Sequence, residues 1–97
     1  MPTPITLIAT LTLHQAPDAA LLEGLEKLVN ASRAEAGCLQ YDLHQQHSTA
    51  TVLVMIEQWL DAAALAAHQA TAHYQAFGAA FNAQLASVEL NHLRRIV

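Results

Sequence analysis

Residues 51–60, Thr-Val-Leu-Val-Met-Ile-Glu-Gln-Trp-Leu, restrict the fold more than any other stretch. Val52, Val54 and Ile56 fall on one face of an extended chain. Leu53, Met55, Glu57 and Trp59 fall on the other. A strand that is apolar on both faces belongs in the middle of a sheet and must be covered twice. The remaining elements decide what covers it.

Residues 4–13 alternate. Ile5, Leu7, Ala9, Leu11 and Leu13 share one face, and Thr6, Thr10 and Thr12 the other, with Ile8 added to the threonine side. Period two with β-branched residues predicts a strand. Pro17 and Asp18 open a helix, where proline costs no hydrogen bond and negative charge suits the dipole. Its buried stripe is Leu21, Leu22, Leu25, Leu28, Val29 and Ser32. Glu23 and Lys27 pair on its outer face. Gly37 is expected to end this helix in a left-handed conformation. Cys38–Gln46 alternates as a second strand, and 47–50 is polar enough for a hairpin loop. After the third strand, Asp61 is a fitting N-cap for an alanine-rich helix reaching about His68. Thr71 caps a further helical segment, striped by Tyr74, Phe77, Phe81 and Leu85. Residues 87–97 read as a last strand.

The order is therefore strand, helix, strand, strand, helix, strand. That is the α+β, ferredoxin-like βαββαβ arrangement with an antiparallel sheet. With both helical regions on one face, the opposite face stays bare. Its apolar content predicts a homodimer whose two sheets face each other. Composition agrees: 54% of the 97 residues are hydrophobic and 12% charged, more apolar material than one small core needs. The length allows one domain, residues 1–97.

A formal charge of −4 argues against nucleic acid as a partner. No apolar run approaches the ~20 residues of a membrane span, and the N-terminal residues lack the pattern of a signal peptide. One cysteine, Cys38, excludes an intrachain disulfide and fits a cytoplasmic protein.

Gly37-Cys38-Leu39-Gln40-Tyr41, Glu57-Gln58-Trp59, Ala67-His68 and His73-Tyr74-Gln75-Ala76-Phe77 occur in an order and spacing that resemble the antibiotic biosynthesis monooxygenase family. The resemblance covers nearly the whole chain. It implies a dimeric α+β barrel with a pocket in each subunit between sheet and helices. It also implies oxidation of a quinol or polycyclic phenol by molecular oxygen, with no metal or flavin cofactor. A haem-degrading branch of this family carries an asparagine on its first strand. Ala9 stands there instead, which sets this chain apart from that branch.

Such chemistry needs a base to take a phenolic proton, and histidine, with an unperturbed pKa of ~6.5, suits the task. His73 and His68 are the candidates, with His73 favoured because it begins a helix near the end of the third strand. Each histidine could instead just complete a core hydrogen bond. Trp59 is the expected stacking surface for a planar substrate, with Tyr41, Tyr74 and Met55 as further contacts. Glu57, on a covered face, needs a partner, and Arg94 or His92 of the last strand, or a dimer mate, is expected to supply an ion pair. No metal site is expected: His68 and His73 are five residues apart and do not share a helical face. A non-enzymatic ligand-binding module on the same dimeric fold would use the same pocket.

Overall fold

The computed structural model describes residues 3–97. The elements run β1 (Ile5–Leu13), α1 (Ala19–Arg33), β2 (Cys38–Gln45), β3 (Val52–Trp59), α2 (Ala62–Gln69), α3 (Ala72–Phe81), a short 3-10 turn (Asn82–Gln84) and β4 (Leu85–Leu93). The four strands form one sheet in the order β2-β3-β1-β4, and every neighbouring pair is antiparallel. This is the ferredoxin-like α+β fold that the strand and helix order predicts.

Register places one residue from each strand side by side. Leu7 pairs with Glu57 and His92, and Ala9 with Met55 and Leu90. Tyr41 lies opposite Glu57. This face lies under the helices. Leu7, Ala9, Leu11, Leu13, Tyr41, Leu53, Met55, Glu57 and Trp59 are all buried on it. α1 closes over them with Leu21, Leu25, Leu28, Val29 and Ser32, and α2 with Leu65 and His68. The other face carries Ile8, Val52, Val54 and Ile56, only half-buried within the chain. β4 has little over it: Val88 and Leu90 are 48% and 40% exposed, so the layer is open along that edge.

The helix starts follow local chemistry. Asp18 Oδ1 accepts the Leu21 N–H at 2.8 Å and Asp61 Oδ1 accepts the Ala64 N–H at 2.8 Å. Each such cap stabilises its helix by about 1 kcal/mol. At α3 one hydroxyl serves two helices. Thr71 Oγ1 accepts the Tyr74 N–H at 3.3 Å and donates to the His68 carbonyl at 2.7 Å. The last turn of α2 is thereby tied to the first turn of α3, which fixes His68 relative to Tyr74. Arg33, the last residue of α1, donates to the Tyr41 carbonyl at 3.0 Å and to Asp42 at 2.9 Å, securing the helix end to β2. Glu23 and Lys27 pair at 3.3 Å on the exposed side of α1.

Two expectations are corrected. Gly37 adopts no left-handed conformation: α1 ends at Arg33 with Ala34 as a right-handed C-cap, and no described glycine has positive φ. Its small size matters instead. A Cβ at position 37 would lie 2.4 Å from the Ala64 Cβ, and the Gly37 carbonyl accepts the Leu60 N–H at 2.9 Å. The entrance to β2 presses directly on α2. Gly37→Ala is expected to cost about 1–3 kcal/mol from the forced displacement, read as a lower melting temperature. Second, the last strand is Leu85–Leu93, not 87–97. The 3-10 turn delivers Leu85 to pair with Leu13 across an irregularity in β1, so Leu85 belongs to the sheet and the helical stripe ends at Phe81. Arg94 and Ile96 lie beyond the strand.

Candidate active site

A cavity of about 200 Å³ lies between the sheet and the helices. Leu7, Ala9, Leu11 and Met55 give it an apolar floor. Val88 and Leu90 line its side along the thinly covered β4, and Gly78 of α3 borders it. Tyr41, Glu57, His68 and Tyr74 form a polar cluster in its lining.

His68 is 1% exposed and held on several sides. Its ring lies against the Trp59 ring, with centroids 4.4 Å apart and planes tilted 32°. Tyr41 and Tyr74 meet it edge-on at 5.3 and 5.0 Å. Its Nδ1 lies 2.7 Å from Glu35 Oε2, and the His73 Nε2 lies 2.8 Å from the same oxygen. A carboxylate can only accept, so each imidazole presents an N–H to it. That fixes the His68 tautomer and leaves Nε2 as an unprotonated acceptor. Nε2 is buried and has no partner among the described residues. An unmet buried acceptor costs about 1–3 kcal/mol. Burial pushes the His68 pKa below its ordinary value, against the upward pull of Glu35, so the ring is neutral near neutral pH.

Glu57 is the second polar anchor. Trp59 Nε1–H donates to its Oε1 at 2.9 Å. Burial pushes its pKa up to about 7; the Trp59 hydrogen bond opposes the rise and the Glu35 charge adds to it. Tyr41 and Tyr74 are both shifted upward, first by burial and then by Glu57, so their phenols stay protonated.

The raised Glu57 pKa has a consequence for stability. Between its ordinary pKa of 4.5 and about 7, the folded chain holds a proton that the unfolded chain has lost. Stability from this group is therefore full below pH 4.5 and declines as pH rises to about 7, by roughly 3 kcal/mol at most. Glu57→Gln keeps an acceptor for Trp59 and cannot ionise. Its melting temperature is expected to exceed that of the unsubstituted chain above about pH 7, with the gap closing toward pH 5. Thermal unfolding across that range measures it.

The structure sorts the sequence-derived candidates. His68, Tyr41, Tyr74 and Met55 line the cavity. His73 does not; it faces the groove between α1 and α3, partly exposed, and reaches the site only through Glu35. His68 and not His73 reaches the cavity, because the break at Ala70–Thr71 turns the start of α3 toward α1 while the last turn of α2 faces the sheet. Trp59 is fully buried and does not line the cavity; its ring face is covered by His68. Glu57 takes no ion pair from Arg94 or His92 among the described residues, since Trp59 meets it from the same strand. Glu35 escaped sequence reading altogether. It brings His68 and His73 together, so that ligand atoms of all three lie within 4.8 Å of one another. Two histidines off one helical face do converge when a third chain segment supplies the meeting point. The three groups form a donor set that a divalent cation could use; here they bond to one another. Gln69 and Asn82 also line the cavity and carry no periodic signal in the sequence.

Comparison with known proteins agrees with this fold. The antibiotic biosynthesis monooxygenase family matches residues 4–80, and the chain belongs to that family. The Bacillus subtilis (strain 168) protein named "Putative monooxygenase YcnE" is 45% identical over 56 residues. That match covers 58% of this chain and 59% of the relative, less than two thirds of its length. PA3566 from Pseudomonas aeruginosa is 48% identical in a superposition covering 100% of this chain and 98% of that one, with a TM-score of 0.91. Rv0793 from Mycobacterium tuberculosis is 27% identical, covering 98% and 97% of the two chains, with a TM-score of 0.89. Family membership supports a monooxygenase-like role. No helix among the described residues is long and apolar enough to cross a membrane.

Proposed function

We propose that the chain is a monooxygenase that oxidises a quinol or polycyclic phenol with molecular oxygen, with His68 as the base. The observation that carries this is the buried, unpartnered Nε2 of His68, a residue that lines the cavity, with its other nitrogen tied to Glu35. A phenolic hydroxyl meeting Nε2 satisfies the unmet acceptor and gives up its proton there. Nε2 is closed to a water-sized group, so the neighbouring rings must shift for a ligand hydroxyl to meet it. Tyr41, Tyr74 and Met55 contact the substrate, and Trp59 backs His68 instead of stacking on the ring.

The deprotonated substrate is electron-rich and supplies every electron the reaction needs. A quinol ring C–H becomes C–OH, the quinol becomes a quinone, and the second oxygen atom leaves as water. For an anthrone, the methylene becomes a carbonyl with one water released. No external reductant enters this balance, and we propose that the enzyme works without metal or flavin. The half-buried sheet face carrying Ile8, Val54 and Ile56 packs against its counterpart in a second copy, making a homodimer. The single cysteine fits a cytoplasmic location.

Oxygen uptake with a panel of hydroquinones and anthrones tests the chemistry. Consumption above the spontaneous rate, one oxygen per substrate and without added cofactor, is expected. No enhancement across the panel would leave a ligand-binding module. Sedimentation at micromolar concentration is expected to show a dimer, and a stable folded monomer would sink the facing-sheet arrangement.

A further inference from the structure

Glu57 lies in the middle of the sheet, where a carboxyl is expensive to bury. Its register neighbours on the same face are Leu7 and Tyr41. It lines the cavity beside His68, yet the proposed proton abstraction gives it no task. One of its oxygens is held by the Trp59 indole N–H at 2.9 Å, and among the described residues no hydrogen bond reaches the other. No lysine or arginine of this chain lines the cavity, so no ion pair within the chain accounts for the carboxyl. The groups around it are Cys38 and Tyr41 from β2, His68 from α2, Tyr74 from α3, Glu35 from the segment after α1, and His92 on the same face of the sheet. The Trp59 indole touches both polar anchors, its ring against His68 and its N–H on Glu57. One rigid, fully buried side chain thus sets the spacing between a bare imidazole nitrogen and a half-satisfied carboxyl.

We propose that Glu57 is a second substrate contact: its free oxygen binds a second hydroxyl or carbonyl oxygen of the ligand while His68 Nε2 binds the first. The cavity then selects aromatic compounds with two separated oxygen functions over those with one. A carboxyl can donate to a carbonyl when protonated and accept from a hydroxyl when ionised, so either function is served. A hydrogen bond to such a group discriminates by about 10- to 100-fold. This rests on the reading of the cavity as a ligand site and not on the oxygen chemistry.

Calorimetric titration under argon with naphthalene-2,6-diol and 2-naphthol separates the two. The unsubstituted chain is expected to bind the diol about 10- to 100-fold more tightly. Glu57→Gln keeps the Trp59 hydrogen bond and a donor toward the ligand, and should retain the preference. Glu57→Leu should bind both compounds equally, by weakening the diol and leaving 2-naphthol unchanged. Equal affinities in the unsubstituted chain, a preference that survives Glu57→Leu, or no binding of either compound would each overturn the proposal. Should Glu57→Leu fail to fold, affinities measured on either side of about pH 7 replace it. The diol preference should then change with pH in the unsubstituted chain and stay flat in Glu57→Gln, and an identical pH response in both would overturn it. A diol preference without oxygen uptake would retain this site and reject the oxygenase reading.

Discussion

His68→Ala is expected to lower turnover of a phenolic substrate by about 10²–10⁴-fold, the usual worth of a positioned base. The same change should also lower the melting temperature. The imidazole is almost wholly buried and packed on Trp59, so its removal leaves a void as well as an unmet role. Rate must therefore be compared per folded molecule. His73→Ala provides the contrast. That ring is partly exposed and lies outside the cavity, and its loss leaves Glu35 still bonded to His68. Its effect on rate should be far smaller. The pH profile adds a second readout. Burial pushes the His68 pKa below 6.5, so the acid limb of turnover should fall below that value, where the base becomes protonated. A normal rate in folded His68→Ala would remove histidine from the chemistry.

The fold was legible because its signals are local. Alternation in β1, the doubly apolar β3, and the caps Asp18, Asp61 and Thr71 each occupy a few consecutive residues, and each predicts an element that the structure contains. The site was legible only in part, because its decisive relations are distant. Glu35 lies 33 residues from His68 and 38 from His73, and no spacing rule joins a residue after α1 to two helix ends. Which histidine enters the cavity depends on the angle between α2 and α3, held by the Thr71 hydroxyl together with its backbone N–H on the His68 carbonyl. The same limit applies to Gly37. A helix-end glycine suggests a left-handed turn, but its actual requirement is the Ala64 methyl arriving from another helix. Trp59 and Glu57 are two apart and share a face, so their contact was open to sequence reading. A buried carboxyl suggests a cationic partner, but the indole N–H satisfies one of its oxygens without charge.

Trp59→Ala is expected to cost about 3–5 kcal/mol, the range for truncating a buried tryptophan. Every part of the ring is occupied: His68 lies on its face, Tyr41 meets it edge-on at 6.1 Å, and Glu57 takes its N–H. Truncation opens a void beneath His68 and removes the one hydrogen bond that lowers the Glu57 pKa. Small domains have about 5–15 kcal/mol in total, so this one substitution can take most of the margin. At about 4–8 °C per kcal/mol for a chain of this size, the melting temperature should fall by more than 10 °C. Trp59→Phe separates the two contributions. Phenylalanine keeps an aromatic surface against His68 and loses only the N–H, so its cost should be nearer the ~1–3 kcal/mol of an unpaired buried group. Because Trp59 lies behind the cavity, Trp59→Phe should leave 2-naphthol affinity unchanged and act on diol affinity through a loosened Glu57. Equal weakening of both ligands would place the indole at the substrate after all. A loss under 1 kcal/mol for Trp59→Ala would mean the neighbouring rings collapse into the space, and the fixed spacing of His68 and Glu57 would then need another source.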